Sequence, residues 1–129
     1  MDWSARPDVF RRYGGPTRLT RLPPPADGGL GPGYDEALCG ARVAASRVDA
    51  ASLSSFFRDG FGLSCEKVAG PSRWTLRSAP SGGALYPCEA YVIRVDSDAA
   101  AVVEHYDVER HALAAFDAGR CNDTSLFEC

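Results

Sequence analysis

Lysine is nearly absent from this chain: Lys67 stands alone beside thirteen arginines among 14 basic residues. Against 17 acidic residues these leave a net charge of −3, with no basic stripe of the kind that follows a phosphate backbone. Nucleic acid is therefore not an expected partner. Long apolar runs are missing too. Arg6, Arg11, Arg12, Arg18 and Arg21 interrupt the first thirty residues, which excludes an export or membrane-spanning segment there and points to a cytoplasmic chain. Histidine is confined to His105 and His111. The 5 cysteines (Cys39, Cys65, Cys88, Cys121, Cys129) are odd in number and lack a C-x-x-C pair. Reduced thiols are expected, not zinc or a disulfide framework.

What is present suits one domain with a core: 129 residues, 45% hydrophobic and 10% aromatic. Residues 1–33, with "LPPPADGGLGPG", are dense enough in Pro and Gly to stop helices and strands alike, and read as an arm ahead of a domain over 34–129. Helical spacing of Tyr34, Leu38, Ala41 and Ala45 predicts a first helix over 33–46, with Asp35 and Glu36 at its positive end. Asp49 caps a second helix whose stripe is Leu53, Phe56 and Phe57, with Gly60 at its left-handed end. Residues 65–80 read as irregular chain with one extended piece at "RWTLR". "EAYVIRV" reads as a strand buried on both faces. "AAVVEHYDVERHALAAF" reads as strand, turn and strand, turning over 107–110. Helices followed by a strand and hairpin make an α+β order.

Chemistry concentrates in "APSGGALYP". Pro80 fixes its own φ, while Gly82 and Gly83 permit backbone angles closed to other residues and carry no side chain to hold off a planar ligand. Ser81 adds a hydroxyl and Tyr86 an aromatic face. Taken alone, a glycine-rich connection into a strand is the better explanation of the stretch. Cys88 reads as a small buried thiol, because no acid–base partner is placed beside it. His105 and His111 lack a third ligand and read as packing residues of the hairpin.

The runs "RSAPSGGALYPCEAYVIRV" and "EHYDVERHALAAF" resemble the SagB/ThcOx-type (McbC-like) azoline dehydrogenases, a branch of the nitroreductase-like FMN flavoproteins. The similarity extends from Arg77 through Tyr91 and from His105 through Leu113, with "WSARPDVFRRY", "LPPP" and "LSSFFRDGFGLS" upstream in the family's order. It implies an incomplete nitroreductase-like α+β fold representing the family's N-terminal portion. The implied function is an FMN-dependent oxidoreductase converting peptide thiazolines and oxazolines to azoles. By that resemblance Pro80, Ser81, Gly82, Gly83 and Ala84 lie along the isoalloxazine ring. Arg42 is what remains of a phosphate-gripping arginine cluster, with Arg47 as a substitute, and Arg77 holds phosphate or flavin or caps the loop. Ala84 and Tyr86 stand where other nitroreductase relatives carry Asn and Gln. The family's proton-removing Lys-Tyr pair has no counterpart here, so no catalytic residue is assigned. Expected partners are a peptide substrate and either a second copy or a chain supplying the family's C-terminal half. The alternative is a catalytically incomplete fragment or an accessory subunit that binds a peptide or a partner chain. A sheet without the family's later helices is expected to leave one face of "EAYVIRV" open.

Overall fold

A computed structural model describes residues 8–16, 18–25, 32–42, 47–95 and 101–116. Their elements run β1 (Arg18–Arg21), α1 (Tyr34–Leu38), α2 (Ala50–Phe61), β2 (Leu63–Ala69), β3 (Ser72–Arg77), a 3-10 turn (Gly82–Ala84), β4 (Tyr91–Val95), β5 (Ala101–Asp107) and β6 (Ala112–Phe116). Strands β1-β6-β5-β4 form one antiparallel sheet and β2-β3 a separate hairpin. The architecture is mixed α and β, as the order of elements predicts. No helix among the described residues is long and apolar enough to cross a membrane.

Register sorts the larger sheet into two faces, since opposed residues on neighbouring strands point the same way. Leu19, Ala114, His105 and Tyr91 oppose one another in a row and share the first face. Thr20, Leu113 and Tyr106 share the second, and α2 packs there. Phe57 of α2 stacks on Tyr106 with ring centroids 4.5 Å apart and planes 14° from parallel. Around this stack lie Leu22, Val108 and Leu113, with Leu53, Phe61, Ala90 and Val92 at the margin. Also on the second face, the buried Glu104 carboxylate lies 3.2 Å from Arg18 of one edge strand and 2.7 Å from Arg94 of the other.

A partly buried chain of hydrogen bonds fastens helix to sheet. Ser54 is fully buried on α2, and its hydroxyl donates to the Pro23 carbonyl at 2.6 Å. A carbonyl can only accept, so that bond uses the hydroxyl proton. The His111 Nε2 atom, 2.8 Å from the same oxygen, must then be the donor N–H. This leaves Nδ1 as an acceptor for the Tyr106 hydroxyl, also at 2.8 Å. The series Tyr106, His111, Ser54, Pro23 is satisfied throughout only when His111 is neutral. Burial lowers the His111 pKa from its ordinary value and raises that of Tyr106 to about 12, which suits those roles. The Leu22 N–H completes the joint, donating to the His111 carbonyl at 3.0 Å.

Five expectations are corrected. The helix expected over 33–46 ends at Leu38, because Cys39-Gly40 closes it: Gly40 takes φ 80°, its N–H reaches the Ala37 carbonyl, and the Ala41 N–H reaches that of Glu36. Residues 43–46 lie outside the described set. The second helix starts as expected, with the Asp49 carboxylate accepting from the Ala51 and Ser52 N–H groups at 3.0 and 2.9 Å. Gly60 is inside that helix, however, and the chain leaves at Gly62, where a side chain would meet the Arg58 carbonyl at 2.5 Å. Close approach selects glycine there, not a left-handed φ.

Residues 65–80, expected to be irregular, begin within the hairpin β2-β3, turning at Gly70 with φ 57° in the first central position, as primed hairpin turns require. Arg18–Arg21 form a strand in a stretch whose composition predicts none, because the β6 edge supplies the hydrogen bonds that local sequence does not. The strand in "EAYVIRV" is not buried on both faces. It starts at Tyr91 and lies at the sheet edge; Val92 faces the core, while Tyr91, Ile93 and Val95 are 47%, 57% and 59% exposed. The hairpin of β5 and β6 forms where expected, its turn ending at His111 with φ 49°.

Because the folded chain depresses the His111 pKa, its contribution to stability is complete above the unfolded-state value of about 6.5. It is lost as pH falls through that value toward the folded one. Thermal melts from pH 8 to pH 5 are expected to show a midpoint that falls on the acid side, with a shallower fall in His111→Asn. Ser54→Ala, which takes the partner from two partly buried groups, the Pro23 carbonyl and the His111 N–H, is expected to lower the urea-unfolding free energy by about 1–3 kcal/mol at neutral pH.

Candidate functional site

The loop expected to matter begins where β3 ends. Arg77, its last residue, donates its main-chain N–H to the Tyr86 hydroxyl at 3.2 Å. Tyr86 in turn donates its N–H to the Ser81 hydroxyl oxygen at 2.9 Å, and the Ala84 N–H reaches the Ser81 carbonyl at 3.2 Å. These bonds cinch the chain into a bulge in which Gly83, Ala84 and Tyr86 take φ of 67°, 52° and 45°. A left-handed conformation costs a residue other than glycine about 1–2 kcal/mol, so a loop holding two of them stores strain that its anchors must outweigh. Ser81 is thus an anchor of the loop. Beyond it the chain straightens through Pro87 into β4, giving the loop-then-strand order expected.

Arg77 is mostly consumed by the fold. Its side chain is buried, with the guanidinium carbon 5.8 Å from the Phe10 ring centre and 5.2 Å from that of Tyr86. One terminal nitrogen donates to the Val9 carbonyl and the other lies 3.6 Å from the Glu89 carboxylate. The Arg77 Nε is buried without a hydrogen-bond partner among the described residues. The second Glu89 oxygen accepts from His105 Nε2 at 2.8 Å. Tyr13 stands edge-on to the His105 ring, and its hydroxyl lies 2.6 Å from that of Tyr91. That hydrogen bond, ahead of desolvation, raises the Tyr91 pKa to about 12. Residues 8–13 therefore cross the first face of the sheet as a strap fastened at Arg77, at Tyr91 and, through Arg12, at Glu109.

The loop separates two concavities. One, of about 280 Å³, is lined by Phe61, Arg77, Pro80, Ser81, Gly82 and Cys88, among others. The other, open and about 770 Å³, lies toward the hairpin and is lined by Trp74, Leu76, Gly83 and Ala84 with their neighbours. All the expected residues from 77 to 84 are brought together around one loop. Arg42 is not: it follows the Gly40 turn, is exposed, and lines neither concavity. Cys88, expected to be buried, is exposed at the mouth of the smaller cleft, since it precedes β4 and so lies on no strand face. Among the described residues no group of His, Cys, Asp and Glu is arranged to hold a metal. Cys121 and Cys129 lie outside the described set.

Sequence reasoning overlooked Phe61, Trp74 and the Arg77–Glu89–His105 series. Glu89 and His105 are explicable singly as a strand start and a packing residue, and only the pairing of β4 with β5 joins them. Arg77→Met leaves Glu89 buried without its cation, and is expected to destabilise the fold by about 3–5 kcal/mol in urea unfolding. Ser81→Ala, losing one hydrogen bond, is expected to cost about 0.5–1.5 kcal/mol. Compared with protein-family models, with curated proteins and with solved structures, the chain gives no significant match.

Proposed function

We propose that this chain carries the flavin-binding segment of an FMN-dependent, nitroreductase-like oxidoreductase that dehydrogenates peptide thiazolines or oxazolines. The observation that carries the reading is the strained loop: two left-handed residues other than glycine, beside a glycine pair, held by anchors that leave open space on both sides. Such strain persists where the surroundings over-determine it, and it concentrates at ligand-binding loops. Open backbone at the ring end supports the reading. Gly82 and Gly83 are exposed, and a Cβ at Gly82 would meet nothing within 4 Å, so a planar ring can approach the backbone there. Ser81 sets the loop and Tyr86 closes the smaller cleft. Arg42 is the cation assigned to phosphate, its exposed position favouring a site completed at an interface. When bound, the flavin supplies the acceptor for a hydride, and the protein's share is to hold and orient it.

A partner chain is favoured by β4 in particular. It is a sheet edge, and its Tyr91, Ile93 and Val95 form an exposed apolar row, a surface that soluble chains usually cover. In this reading the partner is a second copy or a chain that adds the catalytic base.

Flavin titration tests the assignment, and Gly82 is a cleaner probe than Gly83, whose φ of 67° would strain any substituted residue. Gly82→Val is expected to abolish FMN binding while leaving the melting midpoint within a few degrees of wild type. Arg42→Ala is expected to weaken FMN roughly tenfold and riboflavin hardly at all, since only FMN has the phosphate. Equal affinities for FMN across wild type and both variants would remove the site.

A further inference from the structure

Between the strap and the first face of the sheet lies a cleft of about 360 Å³ that the flavin reading leaves unused. Its floor follows from register: Leu19 opposes Ala114 and Ala114 opposes His105, so apolar side chains from β1 and β6 lead to an imidazole on β5. Phe116 and Tyr13 wall it, their rings 5.7 Å apart and nearly perpendicular.

Three arginines surround this floor, and they are not equivalent. Arg12 is paired with Glu109 at 2.9 Å and Arg110 with Asp107 at 2.6 Å. Arg11 lines the same cleft and has no ion-pair partner among the described residues. His105 is buried with Nε2 committed to Glu89, and its Nδ1 has no hydrogen-bond partner among the described residues. The cleft thus presents one uncompensated guanidinium and one open imidazole nitrogen beside an apolar surface. A single negative charge is favoured over two, because Arg12 and Arg110 are each compensated by a carboxylate and only the Arg11 charge is left to be met. A planar guanidinium fork matches a carboxylate, and the floor matches an apolar body attached to it.

We propose that this cleft binds a monocarboxylate with an apolar body, the carboxylate on Arg11 and the body against Leu19, Ala114 and Phe116. The test is titration of the full chain, followed by amide chemical shifts, with sodium benzoate, benzyl alcohol and phenyl phosphate as separate probes. Benzoate is expected to bind saturably, shifting amides of β1, β5 and β6. Arg11→Gln is expected to weaken it roughly tenfold, and Arg73→Gln, on the distant hairpin, to leave it unchanged. Arg11 is exposed, so the variant should keep the wild-type spectrum and its loss of binding can be assigned to the missing charge. Absence of saturation, equal binding of benzyl alcohol, tighter binding of phenyl phosphate, or unchanged affinity in Arg11→Gln would each overturn the assignment.

Discussion

The neutral imidazole of His111 is the constraint on which the rest of the fold depends. It receives a proton from Tyr106 and gives one to Ser54, whose own proton is fixed on the Pro23 carbonyl. One ring thereby joins the β5-β6 hairpin, α2 and the chain following β1. Phe57 stacks on Tyr106 beside the joint, and burial lowers the His111 pKa, which favours the neutral ring. A charged imidazole would have to donate its second proton to the Tyr106 oxygen, and the tyrosine hydroxyl would then lose the acceptor for its own proton.

A second polar series works on the opposite face of the sheet. Arg77, Glu89 and His105 bind the end of β3 to the residues before β4 and to β5, and the strap closes over them through Phe10 and Tyr13. Between these two fastenings the loop at 80–86 has little freedom, although it contains left-handed residues that an unconstrained chain would avoid. The polar residues of the two patterned runs mostly serve as frame. The loop backbone is what remains for a ligand, which is consistent with the proposal that flavin is recognised chiefly through main-chain atoms.

Where the determinants were local, the sequence was legible. Asp49 ahead of an apolar stripe specifies α2, and the turn between two β-branched or aromatic runs specifies the β5-β6 hairpin. Where a long-range partner decided, it was not. Arg18–Arg21 become a strand only because β6 offers an edge, and Tyr91, Ile93 and Val95 carry the alternation of a buried strand while lying at the sheet margin. The early stop of α1 was readable in Cys39-Gly40, but the apolar spacing running past it pointed the other way. At the site, the glycine pair and Ser81 identify the loop by residue type. The inward turn of Arg77 could not be foreseen, because its partners Val9 and Glu89 come from distant parts of the chain.

In this proposal the anchored loop binds the ligand through its backbone, while the histidine joint serves the fold alone. Amide correlation spectra recorded during an FMN titration test this most directly. The account predicts progressive, saturable shifts at Ser81, Gly82, Gly83 and Ala84, with the amides of Ser54, Tyr106 and His111 unmoved. Saturating FMN that leaves the loop amides in place, or that shifts the joint instead, would contradict it.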